Sequence, residues 1–136
     1  MAEKFGKLKA LVVEDSKVAI KAITGYLEEI GVHPMIAETG SAAVELYRKE
    51  HPDIILLDII LPDIDGYEVA RRLRASTKTE LAYTPIVAVT ANAMKDDAQK
   101  ALNAGCNAYM SKPINIQTLL EQVRQLTHKE ARGTTE

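Results

Sequence analysis

Residues 54–58 read Ile54-Ile55-Leu56-Leu57-Asp58, four consecutive large aliphatics that end on a carboxylate. A run that is apolar at every position, not at alternate ones, marks a strand buried on both faces, and such a strand needs helices above and below its sheet. Two more runs repeat the pattern. Ala10-Leu11-Val12-Val13 is followed by Glu14-Asp15, and Ile86-Val87-Ala88-Val89 by Thr90. Residues 34–37 and 108–110 are shorter or more mixed and read as the two edges of a five-stranded sheet.

Segments of helical period separate these runs, as expected when crossover helices join parallel strands. Ile20, Ile23, Leu27 and Ile30 form one stripe, with Ser16 as its cap and Gly31 as its terminator. Ala43, Leu46 and Tyr47 predict a second helix over 41–50, and Val69 and Leu73 a third over 66–75. Ile116, Leu119, Leu120, Val123 and Leu126 predict a strong fifth. The fourth, over 95–104, offers only Ala98, Ala101 and Leu102 to the core, so it should be held less firmly than its neighbours.

The chain has 136 residues, enough for one compact domain and too few for two of ordinary size. Hydrophobic residues make up 46% and charged residues 26%, which excludes disorder for most of the chain. Seventeen basic against nineteen acidic residues leave a net charge of -2, without the basic footprint that direct nucleic-acid or anionic membrane binding needs. The single Cys106 excludes an internal disulfide, and no Cys/His cluster suggests zinc. Residues 1–9 hold no apolar signal segment and no window is long enough to span a bilayer, so the expectation is a soluble, cytoplasmic protein. The ends, 1–7 and 130–136, are polar and expected to be flexible, leaving a single domain over 8–129.

Folds of this alternating kind bind ligands beyond the carboxyl ends of their strands, where the winding reverses. Those ends carry Glu14-Asp15, Asp58, Thr90 and Lys112-Pro113. If Glu14, Asp15 and Asp58 converge, each pair of carboxylates about 5 Å apart repels by roughly 3 kcal/mol at an effective dielectric near 20. A hard divalent cation relieves this, and Mg²⁺ suits a site with few protein carboxylates because it also accepts phosphate oxygens. Asp58, ending the most apolar strand, is then the acid best placed to attack phosphorus. Lys112 would bind the incoming oxygens, and Thr90 would offer a hydroxyl to a phosphoryl oxygen, a contact made only after transfer.

In combination, Val12-Val13-Glu14-Asp15, Leu56-Leu57-Asp58-Ile59-Ile60-Leu61-Pro62-Asp63-Ile64-Asp65-Gly66, Val89-Thr90-Ala91 and Ser111-Lys112-Pro113 resemble the receiver domain of two-component response regulators. The resemblance runs from about Leu8 to Leu126. It implies a flavodoxin-like α/β fold, a doubly wound parallel sheet of strand order 2-1-3-4-5. It implies Asp58 as phosphoacceptor, Asp15 as direct Mg²⁺ ligand, Glu14 assisting through water, and the Ile60 carbonyl as a further ligand. Thr90 and Lys112 would contact the phosphoryl group, the Lys112–Pro113 bond would be cis, and Tyr109 would be an aromatic that turns inward when Thr90 engages phosphate. The face of the fourth helix, fifth strand and fifth helix would report the state to a downstream protein. A histidine kinase or histidine phosphotransfer protein would be the donor. Ile60 and Asn92 occupy positions that vary in the family and would tune phosphoryl lifetime, and residues 89–94 look most like receivers of hybrid kinases and of single-domain phosphorelay proteins.

Other residues read more plainly. Cys106 is an inert small hydrophobe, His33, His51 and His128 are solvated, Arg71-Arg72-Leu73-Arg74 is a solvated basic face, and Asp96-Asp97 favours the start of the fourth helix. Met94 packs before that helix or meets a partner. Two rival functions fare worse. An aspartate-nucleophile phosphatase wants a second acid two residues after the nucleophile, where this chain has Ile60. A flavodoxin-like nucleotide carrier wants a small polar phosphate loop after the first strand, where this chain has Glu14-Asp15. With no DNA-binding or catalytic segment after Leu126, output is expected through protein contacts, either from a stand-alone regulator or from a receiver module of a larger hybrid kinase or effector. Nothing in the sequence fixes the oligomeric state.

Overall fold

The computed structural model describes residues 8–75, 83–91 and 95–127, with the backbone alone at 95–97. Five strands and five helices alternate among them: β1 (Lys9–Val13), α1 (Lys17–Glu29), β2 (His33–Ala37), α2 (Gly40–Glu50), β3 (Ile54–Asp58), α3 (Gly66–Arg74), β4 (Ile86–Thr90), α4 (Lys95–Ala104), β5 (Ala108–Ser111) and α5 (Ile116–Thr127). All pairings are parallel, and the order is β2-β1-β3-β4-β5. This is the doubly wound flavodoxin-like sheet, with the two mixed strands at its edges as their composition predicts. The expected flexible ends, together with His128, Asn92, Met94 and the side chains of Asp96 and Asp97, lie outside the described residues.

The three apolar strands separate their side chains by parity, because successive residues of a strand point to opposite faces. Ala10, Val12, Ile54, Leu56, Val87 and Val89 pack with Ile23 and Leu27 of α1 and Leu119 and Val123 of α5. Leu11, Val13, Ile55, Leu57, Ile86 and Ala88 pack with Ala43 and Tyr47 of α2, Val69 and Leu73 of α3, and Ala101 of α4. Two cores thus lie either side of one sheet.

Local signals set the helix ends. The Ser16 hydroxyl accepts from Ala19 N at the start of α1, and Asp65 from Tyr67 N at the start of α3. Gly31, at φ 85°, closes α1 with Gly31 N donating to Glu28 O and Val32 N to Leu27 O. Helix α2 begins one residue earlier than its pattern suggests, at Gly40, because Thr39 caps it, and His51 ends it in the left-handed region at φ 51°. Helix α4 departs from expectation. Leu102 is 53% exposed, and the inward stripe is Ala101 and Ala104, so among its described residues the helix presents small side chains to the core.

Candidate functional site

The sheet changes winding direction between β1 and β3, so the carboxyl ends of those two strands flank the crevice where such folds bind ligands. Hydrogen bonding continues past the strands and fixes the residues just beyond them: Glu14 N donates to Ala37 O, Ile59 N to Val89 O, and Lys112 N to Thr90 O. These bonds turn a sequence coincidence into a common rim.

On that rim Glu14 and Asp58 are buried, at 2% and 5% exposure, while Asp15 is exposed. One oxygen from each of the three lies within 4.8 Å of the others. The Lys112 ammonium sits 2.8 Å from Glu14 Oε1 and 3.3 Å from Asp58 Oδ2. The remaining oxygens are held by backbone: Ser16 N donates to Glu14 Oε2 at 3.1 Å and Ile60 N to Asp58 Oδ1 at 3.1 Å. Burial, then the charge of Glu14, pushes the Asp58 carboxyl up to about 6, with the Ile60 N–H and Lys112 opposing. Burial works against the Lys112 charge, but its hydrogen bond to Glu14 and the charge of Asp58 outweigh that and raise its pKa.

Such a site is short of positive charge. Among the described residues its acidic cluster offers oxygen donors, and the Lys112 ammonium pairs with two of the three acids, a set that fits a hard divalent cation such as Mg²⁺. Thr90 is buried at the end of β4, opposite Ser111. Tyr109 is half-buried and pairs with Ala88, so it lies diagonally from Thr90, one pleat back on the same face of the sheet. Ile60 is 67% exposed, presenting an apolar side chain at the mouth of the site while its N–H holds Asp58. The Lys112–Pro113 bond is cis.

Two polar residues near these elements escape a reading of the sequence. Asp63 reaches from the β3–α3 loop to the start of α2, where its carboxylate accepts from Gly40 N at 2.7 Å and from Ser41 N and Oγ at 3.0 and 2.9 Å. Those donors hold its carboxyl well below the usual carboxylate range. Arg74 is not part of a solvated face. Its guanidinium donates to Thr84 O, Gly105 O and Asn107 Oδ1, while Arg71 and Arg72 make exposed pairs with Glu68. Cys106, packed beside Arg74, is buried and its thiol is pushed up to about 11 by that burial.

The fold, the strand-end acids and the lysine define a class of protein. Residues 10–124 match the model of the response regulator receiver domain. The polar-differentiation response regulator DivK of Brucella ovis is 38% identical over 114 residues, covering 84% of this chain and 91% of that protein. Among solved structures, a receiver domain of a sensor histidine kinase from Pseudomonas aeruginosa, with a magnesium ion coordinated in its active site cleft, superposes at TM-score 0.83 with 32% identity, over 90% of this chain and 99% of that one. A response regulator from Chloroflexus aurantiacus superposes at 0.85 with 27% identity, over 90% and 98%. The chain therefore belongs to the response regulator receiver domain family. Receiver domains are signalling domains of two-component systems that interact with histidine kinases and downstream targets, and the acidic cluster here fits an aspartate phosphorylation site. Among the described residues no helix is long and apolar enough to cross a membrane.

Proposed function

We propose that the chain, as one receiver domain over 8–129, is a Mg²⁺-dependent phosphoacceptor switch of a cytoplasmic phosphorelay. The observation that carries this reading is Asp58, buried at the carboxyl end of β3 and held between the Ile60 N–H and the Lys112 ammonium, with Glu14 and Asp15 beside it. The donor is a phosphohistidine on a kinase or phosphotransfer protein. An Asp58 carboxylate oxygen attacks phosphorus, the P–N bond breaks, and the imidazole nitrogen keeps the bonding electrons. Water later attacks the same phosphorus, and the P–O bond to Asp58 breaks to release inorganic phosphate.

The residues act by position and charge. Asp15, Asp58 and the Ile60 carbonyl, with Glu14 assisting through water, would hold Mg²⁺, which would offset the carboxylates and screen phosphoryl oxygens. Lys112, paired with Glu14 and Asp58 beforehand, shifts to a dianion that needs it more. Thr90 takes up a phosphoryl oxygen, Tyr109 turns inward, and the face of α4, β5 and α5 passes the change to a protein target. The net charge of -2 supports a protein, not a nucleic acid, as that target.

The test is intact-protein mass after incubation with acetyl phosphate, with Mg²⁺ or with chelator, on wild type and Asp58→Asn. One phosphoryl group gained by wild type only, and only with Mg²⁺, is expected. No gain, also with a kinase or phosphotransfer donor, would leave a receiver that serves as a constitutive binding module.

A further inference from the structure

The β3–α3 loop runs from Ile59 to Asp65 and carries Ile60 at the mouth of the acidic site. Three attachments shape it. Ile60 N holds Asp58 Oδ1, and Gly66 N closes the loop on Ile59 O at 2.9 Å. A Cβ on Gly66 would lie 2.5 Å from the Ile59 Cα and 2.7 Å from Asp58 O, so the loop closes this tightly only because residue 66 is glycine. Those two attachments are local, within the loop and its own flanks. The third is not: Asp63 anchors the loop to the first turn of α2 through three hydrogen bonds, and Ile64 packs against Gly40 beside them. A Cβ on Gly40 would also meet Val69 Cγ2 at 2.8 Å, so α2, the loop and α3 meet at one point where no larger residue fits.

A carboxylate on two free N–H groups of a helix start is a strong, directional anchor, since charge, dipole and geometry agree. We propose that Asp63 is a positioning residue for the cation site: by docking the loop on α2 it fixes the Ile60 backbone and the Asp58 carboxylate that it orients, so that the start of α2 and the cation site are coupled. The inference rests on the Mg²⁺ reading given above. Coupling of this kind is reciprocal, so a cation that binds better to the docked loop must also tighten the docking of Asp63 on Gly40 and Ser41.

Isothermal titration of the unphosphorylated protein with MgCl₂ tests this on wild type, Asp63→Ala, Asp63→Asn, Ser41→Ala and Asp53→Ala. Asp53 is the control, because it also accepts a backbone N–H, that of Lys9 at 2.8 Å, but at the far end of the sheet. Loss of a group that orients metal ligands weakens the metal typically by tenfold or more, so Asp63→Ala is expected to raise the Mg²⁺ dissociation constant on the order of tenfold. Asp63→Asn and Ser41→Ala should raise it less, and Asp53→Ala should leave it unchanged whatever it does to the melting temperature. In amide NMR spectra, Gly40 and Ser41 should shift with Mg²⁺ in wild type and cease to do so in Asp63→Ala. If Asp63→Ala does not fold, Ser41→Ala decides by the same measure. Mg²⁺ affinity within twofold of wild type in every folded variant of Asp63 and Ser41, with wild type binding Mg²⁺, overturns the positioning role alone. A wild type that does not bind Mg²⁺ overturns the underlying reading and this role with it.

Discussion

Asp58 is held in a costly state when no cation is present. Its carboxyl, ordinarily ionised above about 4, is pushed up to about 6, so between those pH values the native state binds more protons than the unfolded chain. Stability from this group therefore falls as pH rises through that window and levels off above it. Asp58→Asn removes the charge and, in chelator at pH 7.5, should raise unfolding stability on the order of 2 kcal/mol, with a smaller gain at pH 4.5. Urea denaturation at the two pH values checks this, and an equal effect at both would remove the electrostatic cause. Lys112 has the opposite character, since its pairs with Glu14 and Asp58 draw it into the site before any phosphate arrives. Lys112→Ala should keep the fold yet uncouple phosphorylation from the change at Tyr109. Partner binding that gains as much on phosphorylation in the variant as in wild type would count against it. At this scale the five strand-end residues Glu14, Asp15, Asp58, Thr90 and Lys112 were legible, because a parallel sheet sends every strand end to one rim. Asp63 and Arg74 were not. Their partners, Gly40 and Ser41 in one case and Thr84, Gly105 and Asn107 in the other, are distant in sequence, and locally each looks like an ordinary solvated charge.

Among the elements, α4 buries small side chains, Ala101 and Ala104 among its described residues, with Leu102 turned out. Burying so little apolar area leaves its opening free energy low. Its amides should exchange with deuterium sooner than those of α1 and α5 around Leu27 and Leu119, and equal protection would contradict the packing argument. What does hold the end of α4 is polar: Gly105, at φ 107°, stops the helix, and its carbonyl accepts from Arg74 Nε at 2.8 Å. One guanidinium so ties the end of α3, the start of β4 and the turn before β5. Arg74→Ala leaves Thr84 O and Gly105 O without that donor and should lower stability by about 2–4 kcal/mol, measured by urea denaturation, while phosphoryl acceptance at Asp58 is unchanged. The weakness of α4 was readable from its composition, because small residues at helical spacing bury little whichever way they face. The outward turn of Leu102 was not, since helical period alone leaves open which edge of a short apolar stripe meets the core.

Taken whole, the molecule gathers acid chemistry at the carboxyl ends of its strands and structural hydrogen bonds, those of Lys9, Arg74 and Asn107, at the other. A ligand that binds only the folded state stabilises it by mass action, about 2.7 kcal/mol at a hundred times its dissociation constant. Mg²⁺ should therefore raise the melting temperature at pH 7.5, and raise it less at pH 5, where a proton already occupies much of Asp58. An equal shift at both values would place the cation elsewhere. Strand and helix identity was largely readable from hydrophobic period, and edge and centre from the contrast between pure and mixed runs. Which strand lies beside which was not, because the pairing of Val12 with both Ile36 and Leu56 depends on contacts that no local window contains. The order is instead what the resemblance to the receiver domain implies.

That pairing pattern also bears on how the protein is made. β1 is synthesised before either of its neighbours, apolar on both faces, and finds β2 soon afterwards, but its other edge stays open until β3 has been made. During that interval the growing chain exposes an unsatisfied, greasy strand edge of the kind that recruits chaperones or sticks to its own copies.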